Sequence, residues 1–329
     1  MNLWYHKNMA KVVVTRKIPG DGIKMLQEAG FEVVVSPHNR VPERQELLNF
    51  IQGSDGVLCM LTDKVDEEFL SCAGPNLKVV ANFAVGTDNF DLPALSSHNI
   101  VATNTPDVLT EAVAEHAFAL LMAITRRIVE AHKLAQTESS TFGPEVMLGT
   151  ELKGKILGVL GLGRIGGRVA EMGKAMGMNV IYYDIKQNSE FEQKVGATFK
   201  ATPEDLLKEA DFISVHVPLL DSTRHLINAD RLKMMKPTAY LMNTSRGPVV
   251  DEVALVEALK NGTIKGAALD VGETEPKWAP GMIELENVVL TPHIASATVE
   301  SRTAMGELAA KNIIAVLSGQ PALTPVQSK

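Results

Sequence analysis

Cysteine is nearly absent: only Cys59 and Cys72 occur among 329 residues. Two cysteines cannot build a disulfide framework, and their scarcity fits a reducing compartment, so a cytoplasmic protein is expected. Both lie in or beside apolar stretches, which reads as buried small hydrophobes rather than a redox pair. No apolar run is long enough to span a membrane, and no signal-peptide pattern is visible. Positive charge is not in excess: 32 Lys and Arg against 39 Asp and Glu leave a formal charge of -7. Without a basic stripe to neutralise phosphates, nucleic-acid and membrane-surface partners are not expected. The acids and the eight histidines form no HExxH, no paired Cys/His spacing and no Asp-rich calcium loop, so no protein-bound metal is expected. Solenoid repeats and low-complexity segments are also missing.

What is present is the composition of an ordinary globular protein, 45% hydrophobic and 22% charged, at a length suited to two domains. Residues 1–8 read as a disordered extension or an upstream start. Short β-branched runs alternate with amphipathic stretches: 11–15, 32–36, 56–60, 78–82 and 100–103, then 155–160, 179–183, 212–216, 239–243, 266–270 and 287–291. Such alternation predicts an α/β fold of two doubly wound parallel-sheet domains in series. A helical run from about Leu109 to Gln136 joins the halves and is apolar on nearly every face over Ala117–Ile124. It must be covered all round, either between domains or by a second subunit. The second subunit is favoured, so a homodimer is expected. A last helix, Met305 through Leu317, is expected to cross back to the first domain.

The strongest local signal is Gly161-Leu162-Gly163-Arg164-Ile165-Gly166, fed by the strand-like run Lys155–Leu160. A strand, three spaced glycines and a helix make a site for a dinucleotide pyrophosphate, whose charge meets the N–H groups at the helix start. Asp184 ends the next apolar run, 18 residues after Gly166. A carboxylate there accepts hydrogen bonds from the adenosine ribose and repels a 2′-phosphate, which favours NADH over NADPH. A solvated strand end is the weaker reading of Asp184 in this context. The turn sits at mid-chain, so a folded substrate domain must precede it, and ligands are expected in a cleft facing strand carboxyl ends.

Three polar residues follow strands that would deliver them there: Arg246 after 239–243, Glu275 beyond Asp270, and His293 after 287–291. Taken singly, each is more simply a solvated or salt-bridged surface group. Together, behind a dinucleotide turn, they make up the inventory for reducing a 2-oxo acid. Arginine offers a planar fork for a carboxylate and a donor for a keto oxygen. Histidine carries a proton near neutral pH, the more so beside a carboxylate.

Several stretches carry a family likeness: Asn82–Asn89, Leu160–Gly166, His216-Val217-Pro218-Leu219, Asn243-Thr244-Ser245-Arg246-Gly247, Ala268–Val271 and Thr291–Ser296. From about residue 9 onward the chain resembles the D-isomer-specific 2-hydroxyacid dehydrogenases. Through Leu58–Asp63 and Asn104–Glu111 it is most similar to the glyoxylate/hydroxypyruvate reductases. The resemblance implies a flavodoxin-like substrate domain (1–105 plus 299–329) and a Rossmann NAD domain (106–298). It implies that His293 is the general acid/base, Glu275 its partner and Arg246 the substrate anchor. Backbone N–H groups around Val85 and Gly86 would hold the substrate carboxylate, with Met60, Leu61 and Phe142 near the pocket. Val217, Pro218 and Thr223 would line the adenine side, Thr110 the nicotinamide side, and Thr244 and Asp270 would also contact the cofactor, Asp270 at the nicotinamide amide. Phe142 stands where such reductases often carry tryptophan, and Ala295 where glycine is common. No regulatory domain follows residue 329, so the long phosphoglycerate dehydrogenase form is not expected. Within the class, 2-ketogluconate, D-lactate-type acids and phosphite are alternative substrates, and outside it an NAD-sensing regulator is the rival reading.

Overall fold

A computed structural model of the chain describes residues 9–137 and 143–326. The segment 1–8 and Phe142 lie outside the described residues. The chain divides into two compact units, residues 1–109 with 297–329 and residues 110–296. The crossings thus fall after residues 109 and 296, where the sequence reading put them after 105 and 298.

The first unit is a parallel sheet of β1 (Lys11–Val14), β2 (Glu32–Val35), β3 (Gly56–Cys59), β4 (Val79–Asn82) and β5 (Val101–Thr103), in the order β2-β1-β3-β4-β5. Its central strands are short apolar runs because helices cover both faces, so both sets of alternating side chains are buried. Val12, Val13 and Val14 have no exposed surface. The strand order turns back at β1, which places the ends of β1 and β3 at a topological switch point. The last helix, Val299–Leu317, returns to this unit and starts six residues earlier than expected, because Thr298 caps it by accepting the Ser301 N–H.

The second unit contains β6 (Ile156–Leu160), β7 (Asn179–Tyr183), β8 (Thr198–Phe199), β9 (Phe212–Val215), β10 (Tyr240–Asn243), β11 (Gly266–Leu269) and β12 (Val288–Leu290). They pair in the order β12-β11-β10-β9-β6-β7-β8, and every ladder is parallel. The two-residue β8 was not anticipated. Alternate residues feed two cores: Leu160, Ile213, Leu241 and Leu269 on one face, Val159, Tyr182, Phe212 and Met242 on the other.

Two expectations about the joining helix need correction. It is two helices, Thr110–Thr125 and Ile128–Ala135, separated by Arg127 in the left-handed region at φ 53°. The break has a tertiary cause, since the Thr125 carbonyl accepts the Thr150 N–H at 2.8 Å instead of continuing the helical ladder. Nor does the first helix need a second subunit to cover it. Ala117, Phe118, Leu120, Leu121 and Ile124 are buried within the core of their own unit, beside Leu157, Val159 and Val169. Among the described residues no helix is long and apolar enough to cross a membrane.

Candidate active site

The glycine turn shows three different needs for glycine. Gly161 has φ 93°, and a Cβ there would lie 2.9 Å from the His216 carbonyl and the Val217 nitrogen, so the turn passes against the end of β9. Gly166 lies in the first turn of the helix Arg164–Ala175, and its Cβ would fall 2.0 Å from the Gly161 carbonyl oxygen. That contact presses the helix start onto the turn. At Gly163 a Cβ would meet nothing within 4 Å, and no side chain caps the helix that begins there. Open space before uncapped helical N–H groups is where a pyrophosphate fits. Arg164 is exposed at this helix start, and Ile165 packs against the core beneath.

Asp184, just past β7, lies against the same turn: Oδ2 accepts the Leu162 N–H at 2.6 Å and Oδ1 the Ile185 N–H at 2.7 Å. The segment after β9 is held by Thr223, whose hydroxyl donates to the Pro218 carbonyl at 2.6 Å and accepts the Leu220 N–H at 2.8 Å. Val217 is buried there and Pro218 exposed. Burial lowers the His216 imidazole to about 4, and its Nε2 lies 2.7 Å from Ser214 Oγ. Thr110 is half-buried at the start of its helix. The Thr244 hydroxyl, at the end of β10, is buried with no hydrogen-bond partner among the described residues. An orphaned polar atom at a strand end of the unit that carries the glycine turn is a place for a ligand group. On these observations the residues present fit a dinucleotide.

The ends of the adjacent strands β10, β11 and β12 deliver the other polar groups. Asn243 clamps the turn that carries Arg246: its Nδ2 donates to the Arg246 carbonyl at 2.9 Å, and its Oδ1 accepts the Ser245 N–H and hydroxyl. Gly247 packs so tightly on the next loop that a Cβ would sit 1.8 Å from the Gly272 carbonyl oxygen. That next loop carries Glu275. It hangs on Glu252, which is 3% exposed and accepts the Glu273 N–H at 2.6 Å and the Ala279 N–H at 2.9 Å. His293 Nδ1 meets Glu275 at 2.9 Å from Oε2 and 3.1 Å from Oε1. The sequence-derived pair is therefore in contact, six residues beyond β11 and three beyond β12.

Asp270, the last link between β11 and this site, is 1% exposed. Its Oδ1 accepts the Thr291 hydroxyl at 2.6 Å and the Ile294 N–H at 2.8 Å, and its Oδ2 accepts the Ala295 N–H at 2.8 Å. The Asp270 carbonyl accepts the N–H of His293, which stands at φ 54°. His116 reaches the cluster from the helix Thr110–Thr125, with Nε2 3.0 Å from Thr291 Oγ and 3.4 Å from Asp270 Oδ1. Burial alone would raise the Asp270 carboxyl; His116, the Thr291 hydroxyl and the two N–H groups outweigh it and hold it below the ordinary carboxylate range. Asp270 is thus engaged with the His293 loop on both oxygens. Sequence reasoning missed His116, Glu252 and Asn243; a lone histidine inside the apolar run 112–124 was the one signal available.

In the first unit, Met60 and Leu61 lie in the turn after β3, and Val85 and Gly86 in the turn after its neighbour β4. The Met60 N–H donates to Asp63 Oδ2 at 2.9 Å, and Asp63 also binds the Thr15 hydroxyl and Arg16 Nη2.

Residues 118–295 match the family described as D-isomer specific 2-hydroxyacid dehydrogenase, NAD binding domain. The chain is 49% identical over 319 residues to a glyoxylate reductase of Thermofilum pendens, covering 95% of this chain and 94% of that one. A glyoxylate reductase of Pyrococcus furiosus is 46% identical over 315 residues, 94% of this chain and 93% of the other. Among solved structures, the TT0316 protein from Thermus thermophilus superposes with TM-score 0.90 at 42% identity, over 96% of this chain and 99% of that one. A NADPH-dependent glyoxylate/hydroxypyruvate reductase from Sinorhizobium meliloti, in complex with NADP and malonate, superposes with TM-score 0.84 at 34% identity, over 97% of each chain. With the glycine turn, the paired His293 and Glu275 and these likenesses together, the chain belongs to the D-isomer specific 2-hydroxyacid dehydrogenases.

Proposed function

We propose that the protein reduces a small 2-oxo acid, glyoxylate or hydroxypyruvate, to the D-2-hydroxy acid with NADH. The observation that carries this reading is the His293–Glu275 contact at a strand end, in the same unit as Arg246 and the glycine turn. The bound nicotinamide supplies the hydride that the carbonyl carbon accepts. His293, with Nδ1 engaged by Glu275, keeps Nε2 for the proton that the carbonyl oxygen takes up. Arg246 anchors the substrate through its planar fork, and the N–H groups around Val85 and Gly86 hold its carboxylate.

For the cofactor, Gly161, Gly163 and Gly166 with Arg164 and Ile165 form the pyrophosphate cradle. Val217, Pro218 and Thr223 serve the adenine side, and Thr110, Thr244 and Asp270 the nicotinamide side. Asp184 serves the ribose hydroxyls, and its charge disfavours a 2′-phosphate, which supports NADH over NADPH. The Sinorhizobium neighbour is described as NADPH-dependent, so this preference rests on Asp184 alone. Two free thiols suit a cytoplasmic enzyme. A homodimer is supported by Ile128, Val129, Val146 and Leu148, all exposed apolar residues of the second unit.

Steady-state rates on a panel of 2-oxo acids, each with NADH and with NADPH, test the reading. Highest kcat/KM on glyoxylate or hydroxypyruvate with NADH is expected. Absence of turnover on every 2-oxo acid would remove it.

A further inference from the structure

We propose that Asn82 and Asn104 are positioning residues that aim the N–H groups of Gly86 and Thr87 at the substrate carboxylate. The inference rests on the function proposed above and assigns the parts of the chain that make its carboxylate site.

In a trans peptide the carbonyl and the N–H point in opposite directions, so fixing the carbonyl aims the N–H. The turn after β4 has two consecutive carbonyls fixed in this way. Asn104 Nδ2 donates to the Val85 carbonyl at 2.7 Å, and Asn82 Nδ2 donates to the Gly86 carbonyl at 2.8 Å. The N–H groups of the same two peptides belong to Gly86 and Thr87. Among the described residues neither finds an acceptor, and both residues are half-buried rather than sealed in the core. Two neighbouring donors, each fixed in direction through its own carbonyl and without a partner among the described residues, offer a receptor for a carboxylate.

The Asn82 side chain and the Asn104 main chain are themselves held in place. Asn82 has no exposed surface, and the same Nδ2 donates to Asn89 Oδ1 at 2.9 Å. Asn89 Nδ2 in turn donates to the Asp63 carbonyl at 3.0 Å and the Met60 carbonyl at 3.3 Å. The turns after β3 and β4 therefore hang from one asparagine pair. Asn104 is pinned from the C-terminal segment: its carbonyl accepts the Thr324 hydroxyl at 2.6 Å. Buried Asn312 fixes Thr324 in turn, with Oδ1 accepting the Thr324 N–H at 3.0 Å. The Asn82 side chain is thus locked by a further hydrogen bond and the Asn104 backbone by Thr324, the kind of support under which a site keeps its geometry.

The test uses the whole protein with NADH or NAD bound. Asn104→Asp keeps the shape of the side chain and places a carboxylate oxygen against the Val85 carbonyl. It is expected to raise KM for glyoxylate and the inhibition constant of oxamate by about tenfold or more, with the affinity for NADH unchanged. A merely structural role would move kcat, NADH affinity and thermal stability together. If Asn104→Asp does not fold, amide NMR of the wild type labelled with 15N-glycine and 15N-threonine reads the same claim. Oxamate should shift the Gly86 and Thr87 resonances. An unchanged KM in the folded variant, or unmoved Gly86 and Thr87 resonances, overturns the inference. Failure of the parent reading is separate, because it appears as absent turnover in the wild type.

Discussion

His293 Nδ1 lies 2.9 Å from Glu275 Oε2, and Glu275 Oε1 accepts the Gly272 N–H at 3.2 Å, so the glutamate ties the ring of one loop to the backbone of another. The imidazole is oriented by a group that is itself oriented, as general acid catalysis requires. Replacing His293 by Ala is expected to lower kcat on glyoxylate by about 10²–10⁴-fold, the usual contribution of a positioned acid. Glu275→Gln keeps an acceptor for Nδ1 and loses only the charge, so its kcat should fall between wild type and His293→Ala. Stopped-flow rates and NADH fluorescence titration check both, with NADH affinity preserved in each. Equal rates in all three proteins would sink the assignment.

The two glycines of the turn should fail in opposite ways. Gly163→Ala adds a methyl to open space at φ -71°, a backbone that any residue adopts. It should leave thermal stability near wild type and weaken NADH by about tenfold or more, since the methyl occupies the phosphate side. Gly166→Ala drives a methyl into the Gly161 carbonyl and should cost about 1–3 kcal/mol of stability or more, as overpacking does. Chemical denaturation and NADH titration on both variants separate the two effects.

The glycine turn was legible because its pattern of turn, helix start and close approach falls within six residues, while the contact of Gly161 with His216 was not. The strands were legible for the same reason, since a buried parallel strand is a short apolar run wherever it occurs. The joining helix was misread because its break depends on Thr150, whose N–H takes the Thr125 carbonyl from a segment with no helical signal of its own. Glu275 and His293 were legible as residue types at strand ends. The groups that hold their loops were not. His116 and Thr291 meet across 175 positions of sequence, and such contacts arise only when the sheet is assembled.

That long-range cluster makes its own prediction. His116 reaches Thr291, Thr291 donates to Asp270, and Asp270 holds the N–H groups of Ile294 and Ala295 in the loop that carries His293. His116→Ala should lower kcat by about tenfold through loss of loop position, with KM changed less. Asp270→Asn turns an amide N–H₂ toward one of two backbone donors and should cost about 1–3 kcal/mol. Because Asp270 titrates below its ordinary range, its contribution is complete above the unfolded value of about 3.9 and is lost only as pH falls through the lower folded value. The deficit of Asp270→Asn should therefore be constant between about pH 5 and pH 8, read by urea unfolding.

His216 should make the second unit acid-sensitive in a higher window. Its folded value of about 4 lies below the ordinary 6.5, so between those values the unfolded chain binds more protons than the folded one. Stability is then fully present above about 6.5 and falls as pH drops toward 4, by a few kcal/mol in all at roughly 1.4 kcal/mol per unit. Gly161 passes against the His216 carbonyl, so loosening this residue loosens the nucleotide turn as well. His216→Asn replaces the ring with a group that does not titrate. The variant should lose less stability than wild type between pH 7 and pH 4.5, and its NADH affinity should fall less over the same range. Parallel unfolding curves for the two proteins across that interval would show that His216 does not carry the acid sensitivity.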